Sequence, residues 1–459
     1  MFYFLLIIIP LMPLQNVVDK IPKGPSGVNF QNIVLILMFL FWTLRSNAKG
    51  RSMVRPNQIN VALVLYLILS FLGMWRSSIY LNIDFPISIS DPHVIFWKDY
   101  FTTLCFFWFA LGIVDNDDEM FWLTVAMAVV MPYMFRVHYA QLMAASSWHY
   151  DHDLRVKGTF SHLGSNELAA FYTQYGMIFF CMAWFLKKWW HKAFFGGAAL
   201  LCLWGVVYSY SRSSYIALVA CLLIFALVQA RTLIPVMVGF LFIAPAVLPA
   251  SVMDRIEMTQ DSDGKLDDSA AHRLDFWELA WEKFLENPIQ GIGYHAFHHI
   301  NPMGLDTHNM YVKQLCELGI FGIILFMVLY FAAINESTRL YREADTPYLK
   351  ALGLGMVMCV VSNMLLNIFG DRGSYTALAT YYWVFLGMVV RGRELAAARR
   401  AAGLGRAQAD PGGVDSPKPP DKPRGSIFAQ QAQAQAQAFD GDDDDTGLFD
   451  PDEIRQRNK

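Results

Sequence analysis

Residues 305–334 read LDTHNMYVKQLCELGIFGIILFMVLYFAAI, and this stretch decides the kind of chain. From Val312 to Ile334 the run is predominantly apolar. About 20 such residues wound as a helix cross ~30 Å of hydrocarbon. Lipid offers no partners to backbone amides, so a helix that satisfies its own is the expected form. At the mouth of the run stand His308, Asn309 and Tyr311. Ionisable groups at a membrane edge are costly, and a functional role is their default reading.

Similar runs recur outward from this one. Twelve spans are expected, near 1–18, 28–44, 59–81, 94–114, 120–136, 166–186, 193–209, 213–230, 232–250, 312–334, 348–369 and 374–390. The expected fold is therefore all-α, a polytopic helical membrane protein with one large periplasmic loop, 251–311. Hydrophobic residues make up 55% of the 459 and charged residues 16%, which excludes a string of soluble domains. The opening MFYFLLIIIPLMPL lacks a basic leader and a small-residue cleavage site, so it reads as a retained span broken by Pro10 and Pro13. The six cysteines lie in apolar runs without ligand spacing, which predicts neither disulfides nor a metal site.

Lysine and arginine in short loops set the orientation. Arg45, Lys49, Arg51 and Arg55 follow the second span, Lys187, Lys188 and Lys192 the sixth, and Arg339 and Arg342 the tenth. Arg391, Arg393, Arg399 and Arg400 follow the twelfth. These even-numbered exits share one side, which places both termini in the cytoplasm of a cell whose inner membrane holds the chain. The loops 137–165 and 251–311 and the turns Tyr208–Ser213 and Gly370–Gly373 then face the periplasm. No ATP is present there, so a reaction on that side needs a pre-activated substrate. Residues 395–459, with QQAQAQAQA and the acidic run Asp442 to Asp445, read as a disordered cytoplasmic tail after the 1–394 bundle.

The polar residues on the outer side suggest anion chemistry. Arg212, between Ser211 and Ser213, joins two spans; its planar fork suits phosphate oxygens, although a snorkelling interfacial arginine is the plain alternative. Arg155 precedes GTFSHLGSNELA (158–169), where Ser165 or Asn166 is expected to cap the next span and Glu167 to lie in its first turn. Arg155 and that helix start are placed to share one phosphate. His149, His152 and His162 are too irregularly spaced for a metal site. Residues 270–286 form an expected amphipathic helix, lying on the membrane or capping the bundle as a lid, with apolar positions 274, 277, 281 and 284 and 276 and 280 beside them, Arg273 at its start and Asn287-Pro288 at its end. Gly291 and Gly293 follow as an expected flexible turn toward His295. Asp261-Ser262-Asp263-Gly264 lacks the remaining ligands of a calcium loop. His308 titrates near neutral pH and suits general acid–base work, with Asn309 to orient it or hold substrate. Glu317 falls on the opposite helix face and is not expected to pair with His308.

Four of these motifs occur in a familiar order: the GTF turn ending at Asn166, the SRSS turn at 211–214, RLDFWELAWEKFLENPIQGIG at 273–293, and HNMYVKQLCELGIFG at 308–322. Over roughly residues 150 to 390 the chain resembles the O-antigen ligase/polymerase family, the Wzy_C type of envelope glycosyltransferase. It departs from the family's frequent Pro-Asn pair by having Ser165-Asn166. The resemblance implies transfer of a glycan from undecaprenyl diphosphate to an acceptor hydroxyl, on a saccharide, lipid A core or protein. It implies that Arg212 and Arg273, with Arg155 in a similar place, bind the diphosphate, and that His308 is the essential histidine. Asn309, Ser211, Ser213 and Asn166 are expected to support them. No cofactor, metal or nucleic acid is expected, and the membrane lipid itself is a partner. The rival class is a lipid-linked glycan transporter, which tends to place its charges at the bilayer midplane rather than at one face.

Overall fold

The computed structural model describes residues 2–21, 30–48, 57–88, 90–145, 147–258 and 268–403. Among these residues every regular element is helical and no strand occurs. Seven helices are long and apolar enough to cross a membrane, or eight if the bent pair Leu233–Val247 and Ala250–Glu257 is counted as one span. Phe2–Leu11, Asn32–Leu44 and Arg212–Val228 are shorter apolar helices. The chain is a multi-pass helical membrane protein. The first segment is broken between Leu11 and Gln15, beside the two prolines.

The Ser165–Phe185 helix packs between Trp189–Val207 and Pro347–Leu366, Thr376–Ala401 lies on Pro92–Ile113, and Met310–Glu343 lies on Gln58–Leu81 and Pro347–Leu366. All six cysteines are buried and free. Residues 137–144, expected in a loop, instead extend the helix Met131–Ala144. His138 is fully buried there, with its ring against Tyr172 and Trp204. The expected tail boundary at 395 is also crossed, because the last helix continues to Ala401. Its arginines explain the continuation. Arg399 donates to Asp345 (2.6 Å) and Asp117 (3.0 Å), and Arg393 pairs with Glu336. Residues from 404 onward, and residues 259–267, which include Asp261 to Gly264, lie outside the described residues.

The decisive span is not one continuous helix. Met310–Glu343 breaks at Gly319, whose φ is +67°. The break frees carbonyls that a polar partner must take up. Residues 287–294 supply it: Ile292 N donates to Cys316 O (3.0 Å) and Gly293 N to Glu317 O (2.9 Å), while Ile320 N donates to Pro288 O (2.9 Å). Gly291 and Gly293 therefore form a wedge bonded into the span rather than a flexible turn. At Gly293 (φ +110°) a Cβ would lie 2.1 Å from the backbone nitrogen of Ser77. Gly293→Ala is expected to lower stability by at least about 2 kcal/mol, read as an earlier unfolding transition in detergent. A transition equal to the parent's would contradict the wedge.

The lid helix, Asp268–Glu286, begins close to where the periodicity places it. Only part of the expected apolar set packs on protein. Phe276 and Ala280 are buried with Ile292, Ala296, Phe297 and Cys316, whereas Leu274 and Trp281 are exposed. The helix has two apolar stripes, and periodicity alone does not say which faces protein.

Candidate active site

The lid helix, the helix start at Ser165, the span mouth at Met310 and the turn after Leu366 meet around one cavity of about 390 Å³. Its wall holds Arg155, Asn166, Arg273 and His308, four of the residues expected from sequence. It also holds Glu167, Asp306, Asp371 and Arg372.

Local bonding fixes His308 in this wall. Asn309 caps the helix behind it, its Oδ1 accepting from Tyr311 N (3.0 Å) and Val312 N (3.2 Å). Thr307 Oγ1 donates to Asn309 O (2.8 Å), and Trp277 Nε1 of the lid donates to Thr307 O (3.0 Å). Asn309 is thus a cap that holds the backbone, with its side-chain oxygen already engaged. His308 itself has φ +53°, a left-handed conformation that a non-glycine residue seldom adopts. Such strain concentrates at functional positions. Desolvation by the surrounding protein and then the positive charge of Arg273 hold the imidazole below its usual 6.5. The neutral base is the dominant form at neutral pH.

The arginines are held by neighbours of the expected motifs. Arg155 Nη2 donates to Asn166 Oδ1 (2.9 Å). Asn166 is therefore a bracket for Arg155 and caps nothing. The Ser165–Phe185 helix has no side-chain cap, with Gly164 at its N-cap. Glu167, in the first turn of that helix, pairs with Arg372, whose side chain is almost wholly buried. Below the wall, Lys313 Nζ bonds Asp306 (2.6 Å) and Asp371 (3.1 Å). Glu317 is buried and accepts from Phe297 N, apart from His308 as its helix position requires.

Arg212 stands outside this wall. It opens the helix Arg212–Val228, and its Nη1 donates to Met258 O (2.7 Å). Ser211 and Ser213 bond each other through their hydroxyls (3.2 Å). His149 and His162 are exposed and lie against Asp254 and Asp19. Among the described residues no group of histidine, cysteine, aspartate or glutamate has metal-holding geometry.

Sequence reasoning passed over Arg372, Lys313, Asp306 and Asp371 as site residues. A signal was present: Lys313 interrupts an apolar span and Asp371-Arg372 interrupts the turn between two, where ionisable groups need a reason to exist.

These positions coincide with a known sequence pattern. Residues 197–327 match the O-antigen ligase family, Wzy_C. The matched segment contains the SRSS turn, the lid and His308, while Arg155 and Arg372 lie on either side of it. The family resemblance of the motifs stands on this match and on relatives of similar sequence. The exopolysaccharide production protein ExoQ of Rhizobium meliloti is 28% identical, over 47% of this chain and 55% of its own length. Proteins bearing the name polysaccharide ligase in Rickettsia conorii and Rickettsia prowazekii are each 28% identical, over 26% and 25% of this chain. The chain spans 29% of the length of each of those two, so the likeness to the relatives is partial.

Proposed function

We propose that this protein is a glycosyltransferase of polysaccharide assembly. It takes a glycan from undecaprenyl diphosphate at the periplasmic face of the bacterial inner membrane, with both termini in the cytoplasm, and passes it to an acceptor hydroxyl as a ligase or polymerase. The observation that carries this reading is the convergence of His308 with Arg155, Arg273 and Arg372 on one cavity. The Wzy_C match and the polysaccharide ligase names of the relatives support it.

The chemistry follows from the groups present. An acceptor oxygen attacks the anomeric carbon, and the bond from that carbon to the diphosphate oxygen breaks. Undecaprenyl diphosphate leaves with the electron pair, and the hydroxyl proton passes to the His308 imidazole. Preorganised guanidinium groups stabilise the charge that grows on the leaving diphosphate.

The test is the full chain in nanodiscs, titrated with undecaprenyl diphosphate. Arg155→Ala and Arg273→Ala, both on the cavity wall, are each expected to weaken binding by roughly tenfold, the worth of a charge-assisted hydrogen bond. Unchanged affinity in Arg155→Ala, or no binding by the parent chain, would reject the diphosphate reading.

A further inference from the structure

Beside the first cavity lies a second, of about 260 Å³. Its own wall includes Phe96, Asp99, Tyr294 and His295, and it shares Asp306, Asp371 and Tyr375 with the first cavity. The two differ in charge. The first has three arginines on its wall, and none of them reaches the second. The lysine on the second wall, Lys313, is already bonded to Asp306 and Asp371. Asp99 adds a further carboxylate, contacted by its neighbour Lys98 at 3.1 Å. A diphosphate would meet aspartates there. A neutral polyol would not be repelled.

His295 marks this cavity as His308 marks the other. It too has a left-handed backbone, φ +61°. Its Nε2 is buried without a hydrogen-bond partner, and its ring lies 4.1 Å from that of Phe96. Burial and then the charge of Lys313 push its pKa down to about 3, so the ring is neutral and able to donate from one nitrogen and accept at the other. Strain and an orphaned polar atom in one cavity wall both point to a ligand. Aromatic faces beside carboxylates and a neutral imidazole suit a sugar ring: the rings cover its C–H face, and the polar groups exchange hydrogen bonds with its hydroxyls.

We propose that the second cavity binds the acceptor as a saccharide, with Phe96 and Tyr294 against its apolar face and Asp99 and His295 on its hydroxyls; this rests on the glycan-transfer reading of the first cavity. The reacting hydroxyl then reaches the donor across the shared rim of Asp306 and Tyr375, and its proton goes to His308.

Two probes separate the cavities. One is the oligosaccharide released by mild acid from the cell's own envelope polysaccharide, the other undecaprenyl diphosphate, each titrated against the full chain in nanodiscs. Phe96 and the Asp99 side chain are about half exposed (49% and 45%), so Phe96→Ala and Asp99→Asn leave the core intact. Each is expected to weaken oligosaccharide binding by roughly tenfold and to leave undecaprenyl diphosphate binding unchanged. Equal oligosaccharide binding by parent and variants would overturn the proposal. So would a parallel loss of undecaprenyl diphosphate binding, which would assign the second cavity to the donor. A parent chain that binds the lipid and not the oligosaccharide defeats this inference alone. Failure to bind the lipid defeats the glycan-transfer reading and this inference with it.

Discussion

His308→Ala is expected to lower glycan transfer by about 10²–10⁴-fold, the usual worth of a positioned general base, while the bundle stays folded. The ring is exposed at the cavity, with the Phe276 ring of the lid 6.2 Å away between centroids, so its removal leaves no core void. The fixed groups around it stay in place, because Asn309 caps the helix and Thr307 is held by the lid without the imidazole. Undecaprenyl diphosphate affinity should therefore change little while turnover collapses. The parent's pH profile gives a second reading. Desolvation and Arg273 lower the imidazole's pKa below 6.5, so the neutral base predominates at pH 7. Transfer should fall as pH drops through that lowered pKa, giving an acid limb with its midpoint below 6.5. Transfer at the parent rate by purified His308→Ala would remove the base assignment, whatever the binding data say.

Much of this architecture was legible because hydrophobic runs of membrane-crossing length are a strong signal, and the span at 312–334 is among the clearest. Three parts were not. The break at Gly319 looks like an ordinary glycine in an apolar run; what makes it a break is the 287–294 wedge, whose amides take the freed carbonyls, and that pairing is tertiary. The lid's buried face is not legible, because its apolar positions include both the buried Phe276 and Ala280 and the exposed Leu274 and Trp281, and sequence does not distinguish a stripe facing protein from one that does not. The site's cations were half legible. Arg155, Arg273 and His308 sit in motifs dense with polar residues, and the cavity unites them. Arg372 stands in the short segment between the helices Pro347–Leu366 and Thr376–Ala401, and its partner Glu167 is 205 positions away in the chain. Arg212 had the most phosphate-like surroundings in the sequence, flanked by hydroxyls, and the structure sets it outside the wall, bonded to a carbonyl.

Arg372→Ala is expected to destabilise the protein by about 3 kcal/mol, within the range for removing one partner of a buried ion pair. Arg372 is 1% exposed and its partner lies at the mouth of a helix in the same cavity wall. Deleting Arg372 leaves the Glu167 carboxylate facing a cavity with its nearest cation gone. The backbone bond from Arg372 N to Asn367 Oδ1 (2.8 Å) survives, so the turn itself should persist and the loss should be largely electrostatic. Glu167→Gln separates the two parts of the interaction: it keeps a hydrogen-bond acceptor for Arg372 and removes the negative charge. It should cost less stability than Arg372→Ala and should tighten undecaprenyl diphosphate binding, since one anion fewer opposes the arginines of the first cavity. Unfolding titrations in mixed micelles give the stability order, and the nanodisc titration gives the affinity. If the pair were only a structural rivet, Glu167→Gln would destabilise the chain and leave diphosphate affinity unmoved. An Arg372→Ala protein as stable as the parent would show that the buried pair carries no net stabilisation, and would leave the arginine's place in the wall to be explained by binding alone.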